Sequence, residues 1–497
     1  MAELSSKTVE FIRSPKQLLI NGRWENAVSG KTFPVTNPAT AEIIAHVAEG
    51  DQADVDKAVR AARQALESRA WANITPSDRG KLIWRIGDLI LQHADELAEL
   101  EALDNGKPVT VARSADVALA ADIFHYMAGW ATKLHGLTIP LSVPYLPDAN
   151  FHCYTRLEPV GVVGQIIPWN FPLLMAAWKL SPALTTGCTV VLKVAEETPL
   201  SAIRLGELLL EAGLPDGVVN IITGFGETAG AALAAHPLVD KIAFTGSTEV
   251  GKLVVKAAAG NLKKVTLELG GKSPNIVLKD ADLDVAIPGA AHAIFFNHGQ
   301  CCIAGSRLYV AKEIFDEVIE GVAEIAEKIK LGPGLDPQTE MGPMVSDLQL
   351  NRVCGYLQSG LQEGAKAVCG GRKRLGAGYF VEPTVLVDTT PQMKVVQEEI
   401  FGPVVTAMPF KAMDEQLIRQ ANDTIYGLGA GIWTRDLGKA HRLANQLQAG
   451  SVWINCYNIF DAALPFGGYK QSGWGREMGS AVLEHYTQAK AVTVNIG

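Results

Sequence analysis

Charge is missing from two long stretches of this 497-residue chain. Residues 159–178 and 285–306 contain no Asp, Glu, Lys or Arg. Each is long enough to span a bilayer on length alone. Neither reads as a membrane helix. The first holds Pro159, Pro168 and Pro172 with Gln165 and Asn170; the second holds His292, Asn297, His298 and Gln300 among three glycines. Unpaired polar groups are costly in lipid, so these are segments buried in protein, and their polar residues are candidates for chemistry. Cysteine is scarce and odd in number, seven in all, which argues against a disulfide framework and for a reducing, cytoplasmic compartment. No long basic cluster occurs, and 44 Lys+Arg against 53 Asp+Glu leave a net charge of −9. Nucleic acid and anionic membrane are therefore excluded as main partners. No apolar run follows Met1, so no signal peptide is expected. Internal repeats and low-complexity segments are also lacking.

The chain does have an apolar share of 48%, enough for a large core, and a length that suggests about three domains at roughly 150 residues each. Apolar spacing predicts a helix from Val55, capped by Asp54, and further helical stretches around residues 82–97 and 112–134. Residues 137–159 read as a projecting strand pair. From Val160 the pattern becomes β, α, β, α. Strand-like runs at 161–167, 188–194, 218–223, 241–245 and 264–269 alternate with helical patterns at 200–212 and 248–259. That predicts an α/β fold built on a doubly wound parallel sheet. A second series after Gly270 predicts a second α/β domain.

Three places at strand ends bear on a nucleotide. The turn from Gly224 through Gly226 to Gly230 resembles a dinucleotide fingerprint with one residue too many. Gly246-Ser247-Thr248-Glu249-Val250-Gly251-Lys252-Leu253 is a P-loop spacing, except that Leu253 stands where a Mg²⁺-binding hydroxyl is required. Nucleotide hydrolysis is thus a poor reading, although the helix start could hold a pyrophosphate. Glu196, close after Lys193, could accept from ribose hydroxyls and would repel a 2′-phosphate, favouring NAD over NADP.

Chemistry concentrates at Gly299-Gln300-Cys301-Cys302. A thiol there becomes a nucleophile if a base lies near. His298 offers one base, without an identifiable orienting partner. Glu268, alone in an apolar strand before Gly270-Gly271, offers another, since burial raises a carboxyl towards the useful range. A structural Glu paired with Lys or Arg is the competing reading. Asn170, stiffened by Pro168 and Pro172, could donate to an oxyanion.

Taken together, Pro168–Pro172, Lys193–Glu196, Phe244–Ser247, Leu267–Lys272, Gly299–Cys302, Glu399–Pro403 and Pro465–Gly468, in this order, resemble the NAD(P)-dependent aldehyde dehydrogenases over nearly the whole chain. The likeness is greatest to the bacterial phenylacetaldehyde dehydrogenases. The resemblance implies Cys302 as nucleophile, Glu268 as general base and Asn170 as oxyanion donor. It implies NAD against Ile167, Trp169, Lys193, Glu196, Gly226, Gly230, Phe244, Gly246, Ser247, Glu399 and Phe401. It implies an apolar aldehyde channel lined by Phe171, Leu174, Met175, Trp178, Phe296, Cys301, Ile303, Phe460 and Phe466. Aromatic aldehydes come first, aliphatic ones second. A cofactor domain at 1–136 and 159–270, a catalytic domain at 271–470 and an oligomerisation region at 137–158 and 481–497 are implied as well. So is a homotetramer, or failing that a dimer. No metal site is expected.

Overall fold

The Val/Ile-rich runs after residue 160 fold as strands buried on both faces, which requires helices above and below the sheet. In the computed structural model, which describes residues 4–497, five of them lie parallel: Val162–Ile166, Thr189–Lys193, Val219–Ile222, Lys241–Thr245 and Lys264–Glu268. Val162–Ile166 sits between Thr189–Lys193 on one side and Lys241–Thr245 on the other. The strand order reverses there, and a crevice opens beyond the carboxyl ends. Leu18–Ile20 and Gly473–Trp474 extend this sheet antiparallel at its two sides.

A second sheet follows the expected second series. Pro274–Val277 lies between Arg307–Ala311 and Gly429–Trp433, all parallel. The order reverses here too. The two sheets are joined through Leu269–Ser273, so the carboxyl end of one sheet leads directly into the other.

The charge-free stretches are largely interior, although Val285, Pro288 and His292 of the second are exposed. The first forms Val162–Ile166, a loop, and the helix Pro172–Thr186, every residue of which is buried. Pro172 opens that helix and Gly187, at φ 88°, closes it in the left-handed region. The second forms the helix Leu283–Phe295 and a kinked turn before Cys301. Among the described residues no helix is long and apolar enough to cross a membrane.

Several local expectations need correction. The helix Gln52–Glu67 is capped by Asp51, whose carboxylate accepts from Ala53 N–H at 2.8 Å. Asp54 is instead the returning half of a capping box, accepting from the N–H groups of Asp51 at 3.1 Å and Val28 at 2.9 Å. The periodic run near 82–97 breaks at His93 into Pro76–Gln92 and Ala94–Asp104. The helix expected over 112–134 starts with a π turn, Ala112–Val117, and ends with Ala118–Ala128. The projecting strand pair is realised locally only as a short antiparallel bridge at Thr138 and Tyr154. Phe151–Pro159 pairs antiparallel with Thr487–Asn495, over three hundred residues away.

Asp51→Ala should cost about 1 kcal/mol, the usual worth of an N-cap. Urea unfolding checks this; an unchanged midpoint would contradict the cap assignment.

Candidate active site

At the reversal of the first sheet the chain leaves Ile166 through Pro168-Trp169-Asn170-Phe171. Asn170 is buried, and its Nδ2 donates to the Gln300 carbonyl at 3.1 Å. Asn297 Nδ2 donates to both the Asn170 carbonyl, 3.1 Å, and the Gln300 carbonyl, 3.0 Å. Buried Lys107 adds a third hold, its Nζ lying 3.2 Å from the Asn170 carbonyl. The two charge-free stretches are thereby tied together at their polar ends.

The nucleophile loop is strained into place. Asn297, His298 and Gly299 all have positive φ, at 49°, 60° and 67°. Two non-glycine residues in succession there are a costly conformation. Cys302 follows, half-buried. The adjacent Cys301 thiol, burial, and the carboxyls of Glu399 and Glu268 all hold its thiol well above the ordinary value.

Glu268 ends the strand Lys264–Glu268 and is 4% exposed. Neither carboxyl oxygen has a hydrogen-bond partner among the described residues. The reading of Glu268 as half of a structural ion pair is therefore not the one realised. Burial, with Glu477 adding to it, pushes this carboxyl well above its usual range, while Lys179 and Arg476 pull it back. Lys179 and Glu477 themselves form a buried pair at 2.7 Å.

Glu399 accepts from the Gly271 N–H at 2.8 Å, and burial pushes its carboxyl up to about 7. The Gly270-Gly271 pair is required by close approach. A Cβ at Gly270 would collide with the Glu399 carboxylate, and one at Gly271 with the Cys302 carbonyl oxygen.

Asn170, Glu268 and Cys302 line one cavity of about 370 Å³. All nine channel residues anticipated from the sequence line it with them, as do Trp169, Gly246, Ser247, Glu399 and Phe401. The channel residues form an aromatic cluster. Trp178 lies 5.3 Å from Phe466 and 6.2 Å from Phe460, and Phe171 stacks on Phe296 at 6.3 Å. A second group gathers at Glu399: Trp169 meets Phe401 edge-on at 5.2 Å, and Arg352 Nη2 donates to the Glu399 carbonyl at 3.1 Å. Ile167, Lys193, Glu196, Gly226, Gly230 and Phe244 do not line this cavity. They stand at or just beyond the carboxyl ends of the first sheet's strands, where Lys193 Nζ pairs with Glu196 at 2.6 Å.

Two competing readings fail on placement. Lys252 and Leu253 are exposed and lie outside the cavity lining, so the lysine of the P-loop spacing does not serve this cavity. His298 is buried away from the cavity, and burial together with Lys107 drives its imidazole down to about 3. It cannot serve Cys302 as a base.

The model of the aldehyde dehydrogenase family matches residues 24–492. This chain belongs to the aldehyde dehydrogenase family. It is 53% identical to human mitochondrial aldehyde dehydrogenase, covering 97% of this chain and 92% of that one. It is 50% identical to phenylacetaldehyde dehydrogenase of Pseudomonas fluorescens, covering 99% and 98%. Its structure matches that of an aldehyde dehydrogenase from Bacillus cereus in complex with NAD⁺ with a TM-score of 0.97, at 52% identity, covering 100% of this chain and 99% of that one.

Membership of this aldehyde dehydrogenase family does not reveal every residue at the cavity. Leu119, Gln349, Arg352 and Asn458 also line it, and sequence reasoning missed them in this role; His292, singled out only as a polar residue of a charge-free stretch, lines it as well. Gln349 and Arg352 share one face of the helix Asp347–Gln362, a three-residue spacing that carries no signal until the facing partner is known.

Because the Cys302 thiol is held high, its alkylation by iodoacetamide should be slow at pH 7. The rate should keep climbing beyond about 8.5, where an ordinary thiol levels off. A plateau reached by pH 7 would contradict this. Gly271→Ala should abolish activity by displacing Cys302; wild-type turnover in that variant would contradict the close approach.

Proposed function

We propose that this chain oxidises an apolar aromatic aldehyde, phenylacetaldehyde foremost, to its carboxylic acid with NAD⁺, through a thioester on Cys302. Aliphatic aldehydes are the second choice. One observation carries the reading: a thiol, an amide donor and an unpartnered buried carboxyl line the same cavity as an aromatic channel.

The residues fit a bound dinucleotide. The helix Thr248–Ala258 presents its N-terminus at Ser247, which lines the cavity and suits a pyrophosphate. Lys193 and Glu196 would hold the adenosine ribose, and the Glu196 carboxylate disfavours a 2′-phosphate. Glu399, Trp169 and Phe401 would hold the nicotinamide half. The chemistry that NAD⁺ supplies when bound is acceptance of the hydride lost as the Cys302 adduct becomes a thioester.

The chain's own residues do the rest. The Cys302 thiol gives its proton to solvent, the thiolate sulfur bonds to the aldehyde carbon as the C=O π bond opens, and the carbonyl oxygen becomes an oxyanion. Asn170 has a second N–H besides the one given to Gln300, and with the Cys302 N–H it can stabilise that charge. Each such donor is worth about 3 kcal/mol. Glu268, once ionised, takes a proton from water; the hydroxide adds to the thioester carbon, the C–S bond breaks, and the acid leaves. Water, rather than coenzyme A, takes the acyl group, because Glu268 at the base position favours hydrolysis.

The substrate class rests on the channel wall. The aromatic group includes no Lys or Arg for a carboxylated aldehyde, and Arg352 is engaged beside Glu399. The relatives' names differ at comparable identity, so the wall is the better guide.

We place the cofactor domain at residues 1–136 and 159–270 and the catalytic domain at 271–470. Residues 137–158 and 481–497 form the oligomerisation region of a homotetramer. Exposed Leu137, Leu141, Tyr145 and Leu146 on that arm support burial by another copy. All seven cysteines are free, in keeping with a cytoplasmic compartment.

An aldehyde panel followed by NADH absorbance tests the activity. Phenylacetaldehyde with NAD⁺ should give a higher kcat/KM than aliphatic aldehydes, NADP⁺ should be poorer, and Cys302→Ala should abolish turnover. Turnover of no aldehyde would refute the function. Light scattering should give four times the 53.1 kDa chain mass; a monomer would refute the assembly. Thioester hydrolysis should rise with pH as Glu268 ionises, and Glu268→Gln should remove that rise while slowing turnover by about 10²–10⁴-fold.

A further inference from the structure

The loop after the strand Ser451–Ile454 carries two asparagines in the left-handed region, Asn455 at φ 54° and Asn458 at φ 57°. Asparagine tolerates that conformation better than most residues. Asn455 uses it fully. Its Oδ1 accepts from the Thr434 N–H at 3.0 Å, and its Nδ2 donates to the Thr434 carbonyl at 2.9 Å. Two further polar side chains of this loop are also satisfied. Tyr457 donates to the Ile303 carbonyl at 2.7 Å, pinning the loop beside Cys302, and Trp453 donates to the Ile459 carbonyl at 3.0 Å.

Asn458 is the exception. Both its Oδ1 and its Nδ2 are buried, and neither has a partner among the described residues. The residue lines the cavity, two positions before Phe460 of the aromatic cluster. A buried amide left unpaired in an apolar wall is costly, and such a group is satisfied by whatever fills the space.

We infer that Asn458 reads a hydroxyl group on the substrate, so that the preferred aldehyde is a hydroxylated aromatic one rather than a bare hydrocarbon. This rests on the aldehyde dehydrogenase reading above and narrows its substrate. The amide presents one acceptor and one donor. A hydroxyl is both donor and acceptor, and can answer either atom. A carboxylate could use only Nδ2, and would face the carboxyls of Asp116 and Glu268 in the same wall. An ammonium could use only Oδ1. Sites built to bond a substrate hydroxyl discriminate strongly against the analogue lacking it, because their own polar atoms are then stranded.

The test compares phenylacetaldehyde with its 2-, 3- and 4-hydroxy derivatives in the wild-type enzyme and in Asn458→Gly, which keeps the left-handed backbone accessible. Wild-type kcat/KM should favour at least one hydroxylated isomer by about tenfold, and the ratio in Asn458→Gly should fall to within about twofold. Equal rates in the wild type, or a preference that survives in Asn458→Gly, would overturn the inference. Calorimetric binding of the matching hydroxyphenylacetamides and of phenylacetamide, which need no turnover, gives the second arm. A hydroxyl preference in binding without turnover of any aldehyde would sink the parent activity and leave the recognition standing. Equal binding of all the amides, beside normal turnover of phenylacetaldehyde, would sink the recognition alone.

Discussion

Two backbones pass closer at Gly271 than any side chain would allow, with the Glu399 carboxylate packed against neighbouring Gly270, and the site depends on that approach. The missing Cβ of Gly271 leaves room for the Cys302 carbonyl, and that of Gly270 for the Glu399 carboxylate. The same glycines lead from the last parallel strand of the first sheet into the first strand of the second. One short connection therefore fixes three things: Glu268 at the end of its strand, Cys302 against the crossing, and Glu399 on the Gly271 N–H. The strain at Asn297 and His298 is affordable only because the neighbouring elements hold the loop from several sides.

Dryness then sets the chemistry. A carboxyl without partners is expensive to bury, and here the expense is borne where a proton acceptor is useful. Burial raises Glu268, and the Cys301 thiol, burial and the Glu268 carboxyl raise Cys302. Both groups therefore ionise later than their free counterparts, and their reactivity rises with pH. The aromatic wall excludes water and strengthens the few polar groups at its end.

Much of this was legible from the order of residues. The strand at Lys241–Thr245 and the helix at Leu200–Ala212 fall where their patterns place them, because buried strands and amphipathic helices write their period into the chain. The absence of charge marked both halves of the site, since a dry wall must be apolar over its whole length. What was not legible depends on partners distant in sequence. Phe151–Pro159 gave no hint that its partner is Thr487–Asn495. Lys107, Asn297 and Glu477 act through tertiary contacts that no periodicity encodes. Asn458 stood beside Phe460 unnoticed, because an unpaired amide looks like any loop asparagine until its neighbours are seen.

The central claim is that Cys302 carries the acyl group and Glu268 releases it. Glu268→Gln, mixed with phenylacetaldehyde and NAD⁺ and quenched in acid, allows the most direct measurement: intact mass followed by peptide mapping. A phenylacetyl adduct should accumulate on the Cys302 sulfur, and the wild type should show little of it. An adduct on Cys301, or none while NADH forms, would contradict the account.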